Sequence, residues 1–216
     1  VFYNNIPIGS KFVLWRHDLD FSINRAYELG KIEKEQNVYS TYFINPHSEF
    51  YNPFEMGQSD LINKILDMGH KLGLHFDAAY YDVSSEKQLN QLVTQEANLL
   101  GNAFCVRPEV FSFHNPTEFL LTCENDHYGG LINTYSKWFK ENVPYCSDSN
   151  GYWRFRRLQD VLEEATDSCL QILTHPGWWQ DEPMMPRDRV LRSIEARAKN
   201  VIDVYDKLLK NNNRKN

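Results

Sequence analysis

The stretch Leu14-Trp15-Arg16-His17-Asp18-Leu19-Asp20 decides how this chain reads. An apolar run, Phe12-Val13-Leu14-Trp15, passes directly into a basic residue, a histidine and two carboxylates. On a buried strand, residues two apart share a face, so Asp18 and Asp20 emerge side by side at its C-terminal end. Adjacent like charges repel, and a bound cation or a shared proton relieves the cost. Asp20 is thereby a candidate metal ligand and Asp18 a candidate base. The competing reading is a helix N-terminus, where carboxylates are favoured, because Phe21-Ser22-Ile23 opens a helical pattern.

Outward from this stretch, strand and helix patterns alternate. Residues 22–36 carry Ile23, Ala26, Tyr27 and Ile32 among charged residues, an amphipathic helix. Residues 38–44 are β-branched and aromatic and predict a strand, which ends at the breaker Asn45-Pro46. Ser59 or Asp60 predicts the cap of a helix that Gly69 closes. Residues 70–77 predict a third strand. Ser85-Glu86-Lys87-Gln88 is a capping box for a helix that stops at Gly101. Short segments follow at 105–108, 110–114 and 130–135, then a polar, turn-rich stretch over 144–153. Residues 170–175 predict a last strand and 187–210 a long helix, with a frayed tail over 211–216. No linker or repeat interrupts this order, so one domain over 1–216 is expected, of the α/β class with a parallel sheet or barrel.

In such folds the working groups sit where strands end. Four expected strand ends carry His or Asp: Asp18/Asp20, His75/Asp77, His114 and His175. Convergence of four ends predicts a shared site. His70 and His17 face away from it and are expected to be structural, whereas Trp178 and Trp179 follow His175 closely enough to line a cleft.

Composition narrows the function. Among 216 residues, 42% are hydrophobic and 24% charged, which is ordinary for a globular protein. A net charge of -6 gives no footprint for nucleic acid or an anionic membrane. No apolar run suits a membrane span, and no signal-peptide pattern opens the chain. A cytoplasmic location is expected, although the chain opens on Val1 rather than a methionine. The four cysteines are widely spaced and predict reduced thiols, with two disulfides in an exported enzyme as the alternative, rather than a zinc knuckle. No Gly-x-Ser-x-Gly elbow marks a serine hydrolase.

Asp18-x-Asp20 after a strand, Gly69-His70-x-x-Gly73-x-His75, Arg107-Pro108 and Leu173-x-His175 stand in the order found in polysaccharide deacetylases. The chain resembles these NodB-type family 4 carbohydrate esterases, in particular a subgroup with an Arg-His-Asp-x-Asp opening associated with bacterial surface-polysaccharide or lipopolysaccharide biosynthesis. The resemblance implies a distorted (β/α)7 barrel and metal-dependent removal of an N-acetyl group from a sugar. It implies Asp18 as catalytic base, Asp20 and His75 as metal ligands, and Arg107 as the arginine that orients the base. It also implies His175 as general acid, Asp148 as its support, and Leu173 as a wall of the acetyl pocket. One position departs from the pattern: Ala79 stands where most of the family has a second histidine ligand. His114 is favoured over Asp77 as the replacement, giving a two-histidine, one-carboxylate set that suits Zn²⁺. The rival expectation is a metal-poor glycan-binding module on the same fold.

Overall fold

The sequence alternation becomes a sheet wrapped in helices. The computed structural model describes residues 1–153 and 155–214. Its elements run β1 (Phe12–Leu19), α1 (Ile23–Glu35), β2 (Thr41–Ile44), α2 (Met56–Asp67), β3 (Lys71–Asp77), α3 (Glu86–Phe104), β4 (Val110–His114), α4 (Glu118–Leu121), β5 (His127–Tyr128), β6 (Leu131–Asn133), α5 (Lys137–Asn142), β7 (Tyr145–Ser147), α6 (Leu158–Glu164), β8 (Cys169–Thr174) and α7 (Pro186–Asn211). The spatial order is β5-β6-β4-β3-β2-β1-β8-β7. Seven strands are parallel, and β5 adds an antiparallel hairpin at one edge. This is the distorted (β/α)7 architecture, open between β5 and β7.

Register divides every strand into two faces. Leu19, Tyr42, Ile44, Leu72, Leu74, Phe76, Phe111 and Phe113 point outward and pack under Ile23, Ala26, Ile65, Leu89, Val93 and Leu100 of the helices. Each such aliphatic or aromatic side chain contributes about 1.5–3 kcal/mol on burial, so this layer is the main source of stability. The inner face is narrower and more polar. Arg16 pairs in register with Leu173 and Thr41, Asp18 with Phe43, and His75 with Ser112.

The sheet curls far enough for its inner face to meet itself. Arg16 on β1 donates from Nη1 to Thr134 Oγ1, just past β6, at 2.6 Å, although β2, β3 and β4 lie between those strands in the sheet. At the other end of the interior, Tyr3 packs edge-on against Phe43 and Phe139 and closes the base with Leu14 and Val110.

Local chemistry moves several boundaries. The α2 helix begins at Met56 after Glu55, not at Ser59; the Ser59 hydroxyl instead donates to Pro53 O at 2.7 Å. Strand β2 begins only at Thr41, because the Ser40 N–H donates to the His70 ring at 3.2 Å. All four cysteines are free thiols. Among the described residues no helix is long and apolar enough to cross a membrane. Helix α7 runs through Asn211, and residues 215–216 of the expected frayed tail lie outside the described residues.

Gly73 sits where the interior is tightest: a Cβ there would lie 2.7 Å from the Phe43 ring. Gly73→Ala is expected to cost about 1–3 kcal/mol, the usual range for overpacking. Denaturant titration reads the loss, and Phe43→Leu in the same chain should recover part of it. An unchanged midpoint for Gly73→Ala would contradict this packing.

Candidate active site

The site is built on the inner face at the C-terminal ends of the strands. At its floor Arg16 and Asp18, two apart on β1, form an ion pair at 3.0 Å, with 1% and 2% of their side chains exposed. The guanidinium also lies 5.4 Å from the Phe43 ring centre and 5.6 Å from that of Tyr135. Asp18 Oδ2 is held by Arg16, while Oδ1 is buried with no hydrogen-bond partner.

One level up, Asp20, just past β1, converges with His75 of β3 and His114 of β4. His75 Nε2 lies 3.2 Å from Asp20 Oδ1 and 3.1 Å from His114 Nδ1, and His114 Nδ1 lies 3.5 Å from the same oxygen. Tetrahedral coordination with bonds of about 2.0–2.1 Å places neighbouring ligand atoms about 3.3 Å apart. The three donors therefore already stand at the spacing of one face of such a polyhedron. The other nitrogen of His75 is engaged by Ser112 Oγ at 2.8 Å, which fixes the ring with Nε2 toward the cluster. Burial disfavours charge on Asp20, but hydrogen bonds from His114 and His75 and the charge of His175 hold its carboxyl far below the usual range. Two histidines and a carboxylate are a donor set for a divalent transition ion, so the residues fit such a group.

Asp77 is drawn off by a different task. Strand β3 ends there, and its carboxylate accepts from Ala79 N at 3.1 Å to cap the turn Ala78–Tyr80. Asp77 is the register partner of His114, yet His114 is the one grouped with Asp20 and His75.

At the end of β8, His175 Nδ1 lies 2.7 Å from Asp148 Oδ1, and His175 Nε2 faces Asp20 Oδ2 at 3.7 Å. Asp148 also accepts the His175 backbone N–H at 3.0 Å and the Trp179 indole N–H at 2.8 Å. This carboxylate thus fixes the ring, its backbone and the neighbouring aromatic together. Trp179 is 38% exposed at the rim, whereas Trp178 packs on Phe21 at 4.8 Å between ring centres. Leu173 is buried on the inner face, directly beside Arg16 in register.

One expected residue lies elsewhere. Arg107 precedes β4, at the opposite end of the sheet, and donates to Gly129 O at 2.9 Å and Asn98 Oδ1 at 3.4 Å. It clamps α3 to the β5–β6 hairpin and does not reach Asp18; Arg16 pairs with that aspartate instead. Strand parity, which placed Asp18 beside Asp20, places Arg16 on the same face and was the signal that could have found it. Ser112 was also missed, although it lies two residues before His114 on the same face. His17 and His70 belong to the outer layer. His17 Nε2 lies 2.8 Å from Glu33, and His70 Nε2 lies 3.1 Å from Gly30 O.

The chain matches no protein-family model. No curated protein matches it. Among solved structures, it is similar to a family 4 acetyl xylan esterase from Clostridium thermocellum in complex with a cobalt ion. That pair has a TM-score of 0.52 and 16% identity over 88% of this chain and 84% of that one. Two other similar structures are the peptidoglycan deacetylase PdaC from Bacillus subtilis and a family 4 pseudoenzyme from Bacillus anthracis. The first has a TM-score of 0.48 and 12% identity over 88% of this chain and 85% of that one. The second has a TM-score of 0.48 and 12% identity over 89% and 62%. The likeness to the acetyl xylan esterase shows that the chain has the fold of the family 4 carbohydrate esterases.

The His175 environment gives a measurable titration. Burial opposes charge on the ring, but the Asp148 hydrogen bond and the Asp20 charge outweigh it and push the pKa up to about 9. A raised folded-state value means that the stability it contributes is present in full below about pH 6.5 and lost as pH rises through about 9. NMR titration of the metal-free protein should give an alkaline-shifted His175 resonance, and Asp148→Asn should move it toward the ordinary range. A His175 that titrates near 6.5 in the intact protein would contradict the pairing.

Proposed function

We propose that this chain is a metal-dependent hydrolase that removes an N-acetyl or other N-acyl group from a sugar, in bacterial surface-polysaccharide or lipopolysaccharide biosynthesis. The observation that carries the reading is the triangle of Asp20 Oδ1, His75 Nε2 and His114 Nδ1, with sides of 3.2, 3.1 and 3.5 Å. A divalent transition ion, zinc first for this donor set, supplies Lewis acidity toward the amide carbonyl and toward water when bound.

The protein's own groups divide the proton work. Asp18 is the base: Arg16 holds one carboxylate oxygen and leaves Oδ1 free to accept a proton from water. His175 is the acid, because an amine is too basic to leave unprotonated and the Asp148 carboxylate at 2.7 Å favours the charged ring. Asp148 positions His175 through Nδ1, which leaves Nε2 as the donating atom. Leu173 gives the acyl methyl an apolar wall, and the exposed Trp179 ring gives a sugar a face to stack on. Trp178 packs on Phe21, and Trp153 stands edge-on to the Trp179 ring.

The second reading, a glycan-binding module without metal, is favoured by Ala79 at the position of the usual histidine. The buried Arg16–Asp18 pair and the Asp148–His175 pair favour the hydrolase, since binding a sugar needs neither a proton acceptor nor a donor.

Acetate release from an N-acetylated sugar should stop on chelation and return with added zinc or cobalt. Asp18→Asn should keep the metal yet lower kcat by about 10²-fold or more, whereas Asp20→Asn should lose the metal itself. Elemental analysis beside the kinetic assay separates the two. Full activity in chelated protein would sink the proposal, and metal retention by Asp20→Asn would sink the ligand assignment.

A further inference from the structure

A cavity of about 380 Å³ lies between the starts of α1 and α2, the loop after β2 and one face of α7. Phe21, the residue after Asp20, forms part of its wall together with Phe50. The Phe21 ring packs on Trp178, three residues past His175. The Phe21 ring thus stands both at this cavity and against the segment that follows His175.

Three guanidinium groups line it, those of Arg25, Arg192 and Arg197, in a chain whose net charge is -6. Arg197 is paired with Glu55 at 3.1 Å. Among the described residues, neither Arg25 nor Arg192 forms a salt bridge. Arg25 donates from Nε to Trp179 O at 3.1 Å, which leaves its charge unmatched. Arg192 Nη2 is buried with no hydrogen-bond partner. Three cations against the one carboxylate of Glu55 leave two positive charges facing one small space. The first turn of α1, at the same wall, carries no acidic residue, so its helix end adds to the positive field. Convergent like charges are costly, and one anion in the cavity relieves that cost.

We infer that this cavity receives the phosphoryl group of a sugar phosphate or diphosphate-linked sugar while the N-acyl group lies at Asp18 and His175. The sugar half of this inference rests on the proposed deacetylase activity; the anion half rests on the arginines alone. Phosphate suits the site better than a carboxylate. Guanidinium forks grip phosphate oxygens in pairs, and two unmatched charges answer a dianion. Phe21 and Phe50 give the flat face of a sugar or of a carrier group an apolar wall.

Calorimetry with inorganic pyrophosphate on the metal-free full chain tests the anion half. Wild type should bind it, and Arg192→Gln and Arg197→Gln should each bind about tenfold more weakly with unchanged circular dichroism. Kinetics tests the sugar half. N-acetylglucosamine 1-phosphate should have a KM about tenfold below that of the neutral methyl glycoside, and Arg192→Gln should erase the difference while leaving kcat on the neutral sugar. A nucleoside-diphosphate sugar and a short lipid-diphosphate sugar, run in the same assay, distinguish the carriers; a lower KM for either supports the inference. Pyrophosphate that fails to bind, or binds both variants as tightly as wild type, overturns it, as does one KM shared by all the sugars. Pyrophosphate binding without turnover of any sugar keeps the anion cavity and removes the deacetylase reading instead.

Discussion

The Arg16–Asp18 pair, buried inside the curl of the sheet, is the interaction on which the rest of the structure depends. Removing one member of such a pair typically costs about 3–5 kcal/mol, because a charge is left without a partner in a poorly solvated interior. Here the pair has two further duties. The guanidinium spans the interior from β1 to Thr134 beyond β6, so the curl of the sheet and the ion pair are one arrangement. It also separates the two carboxylates of the opening motif chemically: Asp18 answers a fixed cation, while Asp20 is left to three histidines. Two aspartates at the end of one strand thereby have different surroundings.

From this floor the site rises in layers set by register. His75 sits beside Ser112, and Asp77 beside His114, because β3 and β4 run parallel and in step. The ends of β1, β3, β4 and β8 then point their side chains at one volume, and the loops beyond carry the aromatic rim. Arg25 and Arg189 donate to the carbonyls of Trp179 and Trp178, so α1 and α7 hold the segment after His175 from both sides. The same arrangement brings arginines of both helices to the cavity beside it.

Much of this was legible in the sequence, and the reason lies in periodicity. Parity on β1 placed Asp18 and Asp20 together, and a histidine at the end of each apolar run marked His75, His114 and His175. Arg16 followed from the same parity, yet family resemblance drew the base's partner to Arg107, which is in fact at the far end of β4. Ala79 left a ligand unassigned, and the Asn115-Pro116 turn after His114 pointed to the neighbour that joins Asp20 and His75. What the sequence did not disclose is long-range. The last strand, β8, inserts between β1 and β7, and Arg16 meets Thr134 across 118 positions. No local pattern encodes such a closure. The starts of α2 and β2 were missed for a smaller reason: the Ser59 hydroxyl and the Ser40 N–H each found a partner outside the expected element.

The claim at the centre of this account is that His114 takes the place left by Ala79 and completes a metal site. A crystal grown with cobalt, with data collected across the cobalt absorption edge, tests it most directly. The account predicts one anomalous peak about 2.0–2.3 Å from Asp20 Oδ1, His75 Nε2 and His114 Nδ1 together. A peak held by Asp77 with the His114 ring turned away, or no peak at this triangle, would contradict it.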